Sequence, residues 1–173
     1  LPVRVLGEDS GNTADLAEGI YWAVDEGADI LNLSLGTSGE SQVVLEALAY
    51  AEEEGVLVVA ASGNDGYSDF VQFPASVDTV LAVGATLLDA SIAAYSNQGE
   101  GLDLVAPGGS LGEDTDGDGL PDGVLQEAWH DGEWSYMVAE GTSMATPHVA
   151  AVAALIMGYS DLDPAEIRDV LRS

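Results

Sequence analysis

Seven consecutive residues, GVLVVAA at 55–61, carry no polar side chain. A strand with one wet face would alternate apolar and polar residues, so this run belongs at the centre of a parallel sheet covered by helices on both faces. Residues 3–6 (VRVL), 29–36 (DILNLSLG), 79–86 (TVLAVGAT) and 102–108 (LDLVAPG) read as further strands. Between them lie segments of helical period, 12–27 with Leu16, Ile20 and Val24 on one stripe and 41–54 with Val44, Leu48 and Ala51 facing inward. The order is βαβαβ. Right-handed crossovers then give an α/β fold, a three-layer doubly wound and mostly parallel sheet, whose active residues gather at the carboxyl ends of strands, after Leu35 and Ala61.

Past residue 108 the pattern changes. An acidic stretch reads as irregular to about Trp134, a long helix follows Gly141, and a short one, DPAEIRDVLRS, begins with Asp163 as cap and Pro164 at its first position. No repeat or linker interrupts the chain, so residues 1–173 are read as one domain with an acidic insertion at about 110–139. Thirty-one acidic residues against three basic ones leave a net charge of −28, which repels nucleic acid and anionic membranes. A solvated acidic surface of this kind keeps a protein soluble where salt screens its self-repulsion. The absence of cysteine excludes disulfides and thiol catalysis. No apolar run has membrane length.

The stretch GTSMATPHVAAVAALI at 141–156 places Ser143 at the start of a helix among the small residues Gly141, Thr142 and Ala145. Pro147 is expected in the first turn, where a missing N–H costs nothing. Free N–H groups and the positive end of the helix dipole would favour an oxyanion beside Ser143. An isolated serine in this place also suits a helix cap.

GTSMATPHVA resembles the nucleophile motif of the subtilisin-like serine proteases, the subtilases. NLSLG (32–36), AASGNDG (60–66) and LDLVAPG match the same family in the same order. The resemblance covers nearly the whole chain and is weakest at about 110–139. It implies a serine endopeptidase working through an acyl-enzyme on Ser143, with Asn64 donating its side-chain amide to the oxyanion. Ser34, Leu35 and Gly36 would pair with an extended peptide or protein substrate, Gly36 leaving room for it, and Ala61, Ser62 and Gly63 would line the pocket for the residue before the scissile bond. Turn formation by Asn64 and close packing by the small residues are the structural alternatives. Phe73-Pro74 corresponds to a family position that is often cis, although a trans turn is the default.

The triad is incomplete in this chain, whose two histidines are His130 and His148. His148 lies five residues after Ser143, about 140° around the helix, and resembles a structural histidine of the family. His130, in EAWHDGEW, reads as a surface residue. Asp9-Ser10-Gly11 matches the family's aspartate string, but no histidine follows before His130, and a turn before the first helix accounts for it. The resemblance therefore implies the C-terminal part of a catalytic domain, with the N-terminal strands and helices, the histidine and the aspartate upstream of Leu1. It also implies secretion. The alternative is a peptide-binding pseudoprotease without a working triad.

Asp114, Asp116, Asp118 and Asp122 stand at places one, three, five and nine of EDTDGDGLPDG's D-x-D-x-D-G loop, a spacing that suits Ca2+. Place twelve is Leu125 instead of a bidentate glutamate, so a modest structural site is expected, with a solvated acidic loop as the alternative.

Overall fold

The computed structural model describes residues 1–7, 11–130 and 132–173, the side chain of His130 excepted. Four strands, β1 (Ile30–Leu33), β2 (Leu57–Ala61), β3 (Val80–Thr86) and β4 (Leu104–Pro107), form one parallel sheet in the order β1-β2-β3-β4. Every residue of β2 and β3 is buried. The reason is the alternation of side chains across two covered faces. Val58 and Ala60 point into a core with α1 (Thr13–Asp25) and α2 (Gln42–Glu53), where Leu16, Ile20, Val24, Val44, Leu48 and Ala51 pack. Leu57 and Val59 point the other way, onto Ala145, Val149 and Ala153 of α3 (Thr142–Tyr159) and Ile167 of α4 (Pro164–Arg172).

Capping chemistry sets two of the helix starts. Asn12 accepts from the Asp15 N–H at 2.8 Å, and Asp163 forms a reciprocal capping box with Glu166 ahead of Pro164.

Three expectations are corrected. Residues 3–6 join no ladder, and Leu6 makes one isolated bridge to Gly11. Val3 and Val5 instead pack by side chain over Gly19 of α1, where a β-carbon would come within 2.4 Å of Val5 Cγ1. The end of the acidic stretch is regular, an antiparallel hairpin of β5 (Val124–His130) and β6 (Glu133–Ala139). The Phe73–Pro74 bond is cis; Phe73 is buried and exchanges both backbone hydrogen bonds with Thr37, at 2.8 and 3.0 Å. Asp9 and Ser10 of the DSG string lie outside the described residues.

Between β2 and β3 the crossover 62–79 contains no helix. Its backbone bonds go to β3 and the loop after it, Ser62 N–H to the Val83 carbonyl at 2.9 Å and Asn97 N–H to the Gly63 carbonyl at 3.0 Å. The carboxyl ends of β1, β2 and β3 thus converge on the start of α3.

Candidate active site

Gly141 caps α3 with φ at 140°, a conformation that favours glycine, and the first helical residue, Thr142, is fully buried. Its N–H and its hydroxyl both donate to Asn64 Oδ1, at 2.8 and 2.9 Å. A backbone N–H needs an acceptor, so these bonds fix the oxygen end of the carboxamide against the helix and turn Nδ2 away from Thr142. A β-carbon on Gly141 would lie 3.5 Å from Asn64 Nδ2 and 3.7 Å from the Ser143 nitrogen. Among the described residues neither donor is engaged. Two donors therefore lie beside one point next to Gly141 at the positive end of a helix, an arrangement able to favour an anion there.

Pro147 stands in the second turn of α3, not the first, because the helix begins at Thr142. The missing N–H therefore matters: the Ser143 carbonyl loses its i+4 donor. Ser34 supplies the replacement, its hydroxyl donating to the Ser143 carbonyl at 2.8 Å, while Ser143 Oγ donates to the Ser34 carbonyl at 3.2 Å. Asn32 Nδ2 in turn donates to Ser34 Oγ at 3.0 Å. The strand end of β1 thus holds the backbone and the side chain of Ser143 together.

The expected substrate residues lie around this point. Ser34 and Leu35 are half-buried and Gly36 exposed just past β1, whereas Ala61, Ser62 and Gly63 are buried at the end of β2. Ser62 Oγ donates to the Asn97 carbonyl at 3.0 Å. The glycine at 36 has a nearer reason than room for a peptide: a β-carbon there would meet Gln72 Oε1 at 2.5 Å. Gly63, with φ at 110°, faces the same side chain, its β-carbon position lying 2.8 Å from Gln72 Cγ and Cδ and 2.3 Å from Asn97 Nδ2. Gln72 fills the space between the two glycines, and its Nε2 donates to Asp65 Oδ2 at 2.7 Å.

Sequence reasoning missed Gln72, Asn97 and Tyr95. Fully buried Asn97 accepts from the N–H groups of Asp65 and Tyr67 at 2.9 and 3.1 Å, clamping the loop on both sides of Asn64, and its Nδ2 has no partner among the described residues. Tyr95 Oη donates to the Gly109 carbonyl at 2.8 Å and accepts from the Gly141 N–H at 3.2 Å. Burial pushes its phenol pKa up, the Gly141 N–H opposes that rise, and the Glu140 carboxylate adds to it. No local signal marks them, since they lie nine to eleven residues past the ends of β2 and β3.

His148 does not approach Ser143; its Nδ1–H donates to the Met144 carbonyl of its own helix at 2.8 Å. His130 is the last residue of β5, and its side chain lies outside the described part. In the acidic loop, carboxylate oxygens of Asp114, Asp116 and Asp122 lie within 4.8 Å of one another. Asp118 does not join them; its Oδ1 accepts from the Leu120 N–H at 2.8 Å and closes a turn.

A family model described as the Subtilase family matches residues 1–173. "Alkaline elastase YaB" of a Bacillus species is 43% identical over 155 residues, 89% of this chain and 36% of that protein. "Minor extracellular protease Epr" of Bacillus subtilis is 37% identical over 171 residues, 98% of this chain and 24% of that protein. A solved protease of Pseudoalteromonas arctica superposes with a TM-score of 0.89 at 38% identity, over 99% of this chain and 54% of that one. The chain thus spans 36% and 24% of those two relatives, and about half of the solved chain.

Proposed function

The chain belongs to the subtilase family, and from that premise we propose that it supplies the nucleophile and oxyanion site of a serine endopeptidase. The observation that carries the reading is the space flanked by Asn64 Nδ2 and the Ser143 N–H beside Gly141. A peptide carbonyl attacked by Ser143 Oγ would place its developing charge there and form an acyl-enzyme that water then hydrolyses. The general base is expected from outside residues 1–173: His148 sits about 140° around the helix from Ser143 with its ring on the Met144 carbonyl, and Ser143 Oγ points instead to the Ser34 carbonyl. The extended substrate lies along Ser34–Gly36, with the residue before the scissile bond toward Ala61, Ser62 and Gly63. The partner is peptide or protein. A charge of −28 argues against nucleic acid and anionic membrane, and the family relationship supports an extracellular protein.

The test is labelling of the full-length protein with a fluorophosphonate. Modification of Ser143, blocked by Ser143→Ala, is expected; labelling of another serine, or peptide binding without labelling, moves the reading to the pseudoprotease.

We also propose that the loop from Asp114 to Asp122 holds Ca2+. Three carboxylates this close repel one another, which a hard cation cures. Asp114, Asp116 and Asp122 would bind the ion and order the insertion. Isothermal titration at high sodium chloride should show uptake that Asp116→Asn/Asp122→Asn abolishes, with a dissociation constant on the order of 0.1–1 mM.

A further inference from the structure

The β5–β6 hairpin has a face that catalysis does not use. Its register pairs Leu125 with Val138, Glu127 with Tyr136 and Trp129 with Trp134, and strand alternation puts all six on one side. Trp129, Trp134 and Tyr136 are 60%, 64% and 75% exposed, and the two indoles meet edge to face with centroids 5.6 Å apart. A two-stranded ribbon gains little from rings left in water, and contiguous exposed aromatics mark a contact surface.

Charge selects the occupant. Glu127 sits within the aromatic face, and no lysine or arginine occurs between Arg4 and Arg168. Arg168 and Arg172 are engaged by Glu52 and Asp103. A second copy would bring another −28 charges, and an anionic lipid surface is repelled in the same way. A guanidinium or ammonium group gains from the ring faces and the carboxylate together. We propose that this face docks an arginine- or lysine-bearing extended segment of a polypeptide substrate.

The identification of the occupant as substrate rests on the peptidase reading. Chain continuity agrees with it: β6 ends at Ala139, and only Glu140 separates it from the Gly141 cap of the nucleophile helix. Trp134 stands seven residues before the Gly141 cap, so an extended segment of about seven residues, ~23 Å, sets the reach from a basic residue beside Trp134 to the nucleophile end.

The test titrates full-length protein carrying Ser143→Ala with a dodecapeptide of alternating arginine and alanine, followed by isothermal titration calorimetry. Trp129→Ala/Trp134→Ala should weaken binding about tenfold. Glu127→Gln should weaken it about threefold while the circular-dichroism couplet of the indole pair persists, which separates docking from loss of the hairpin. Unchanged binding by the double variant, or tighter binding of a neutral polysaccharide than of the arginine peptide, overturns the proposal. In a second arm, with Ser143 intact, substrates sharing one cleavable core are compared with and without arginines seven residues away. The arginine series should show a kcat/KM about tenfold higher, and the Trp129→Ala/Trp134→Ala variant should lose that gap. If nothing is hydrolysed while the binding pattern holds, the peptidase reading fails, and with it the identification of the occupant as substrate.

Discussion

Replacing Ser34 by alanine should reveal how the fold tolerates a proline inside the nucleophile helix. The substitution deletes the donor at 2.8 Å from the Ser143 carbonyl, which Pro147 leaves without an i+4 partner. An ordinary hydrogen bond contributes about 1 kcal/mol, and an orphaned buried carbonyl costs about 1–3 kcal/mol. Both residues are only half-buried, so the lower end applies, about 1–1.5 kcal/mol. In a Pro147→Ala background the residue 147 N–H regains its helical reach to the same carbonyl, and the cost of Ser34→Ala should fall below about 0.5 kcal/mol. The coupling is therefore about 1 kcal/mol, which a double-mutant cycle isolates from the separate effect of removing proline. Urea unfolding of the full-length protein would show it as a midpoint shift of roughly 0.3–1 M. Ser143→Ala in all four proteins prevents autolysis and leaves the backbone carbonyl in place. An equal cost of Ser34→Ala in both backgrounds would refute the reasoning, because the serine would then not be replacing the proline's missing donor.

Gly141→Ala should lower kcat on the order of a hundred- to a thousandfold with little change in KM, since a φ of 140° resists a β-carbon and relieving that strain would shift the helix start that sets Asn64 Nδ2 and the Ser143 N–H; steady-state kinetics on a peptide substrate checks it, and a KM effect alone counts against it. Gln72→Ala should open the space between Gly36 and Gly63 and raise kcat/KM for a large residue before the scissile bond, relative to alanine there, by about tenfold or more. An unchanged ratio in a peptide series would show that substrate does not enter that space. Tyr95 predicts an alkaline limb of stability. Its folded pKa is raised above 10.0, so its contribution is complete below that value and is lost as pH rises through the folded value. Tyr95→Phe should flatten that limb in thermal melts, and a limb of unchanged steepness would assign it to other groups.

The layered sheet was legible because two covered faces leave a repetitive mark: β2 is apolar at every position, and α1 and α2 carry period-matched stripes. The β5–β6 hairpin was not legible, for the converse reason. Its exposed face carries the apolar Leu125, Trp129 and Tyr136 while the half-buried face carries Gln126 and Ala128, so the apolar-in, polar-out alternation by which a strand is read is missing. The roles assigned to Asn64 and Ser143 came from the family resemblance, while their places, after a strand and at a helix start, were readable. Their supports were not, since Ser34 and Ser143 are 109 positions apart and Asn97 meets Asp65 across 32, and a polar bond made by topology leaves no period.

What those supports share is a backbone exception that each of them answers. Pro147 frees a carbonyl and Ser34 meets it. The first helical N–H, at Thr142, has no carbonyl of its own helix and Asn64 meets it. The positive φ of Gly63 opens a loop whose N–H groups Asn97 gathers. Ser34 and Asn64 lie within three residues of a strand's carboxyl end, and Tyr95 and Asn97 lie in the loop after β3. A parallel sheet brings those ends to one side, so polar residues scattered along the chain converge where the helix start leaves groups unpaired. Donors kept unpaired at that place, on Asn64 and Ser143, are then set by the donors and acceptors already satisfied around them.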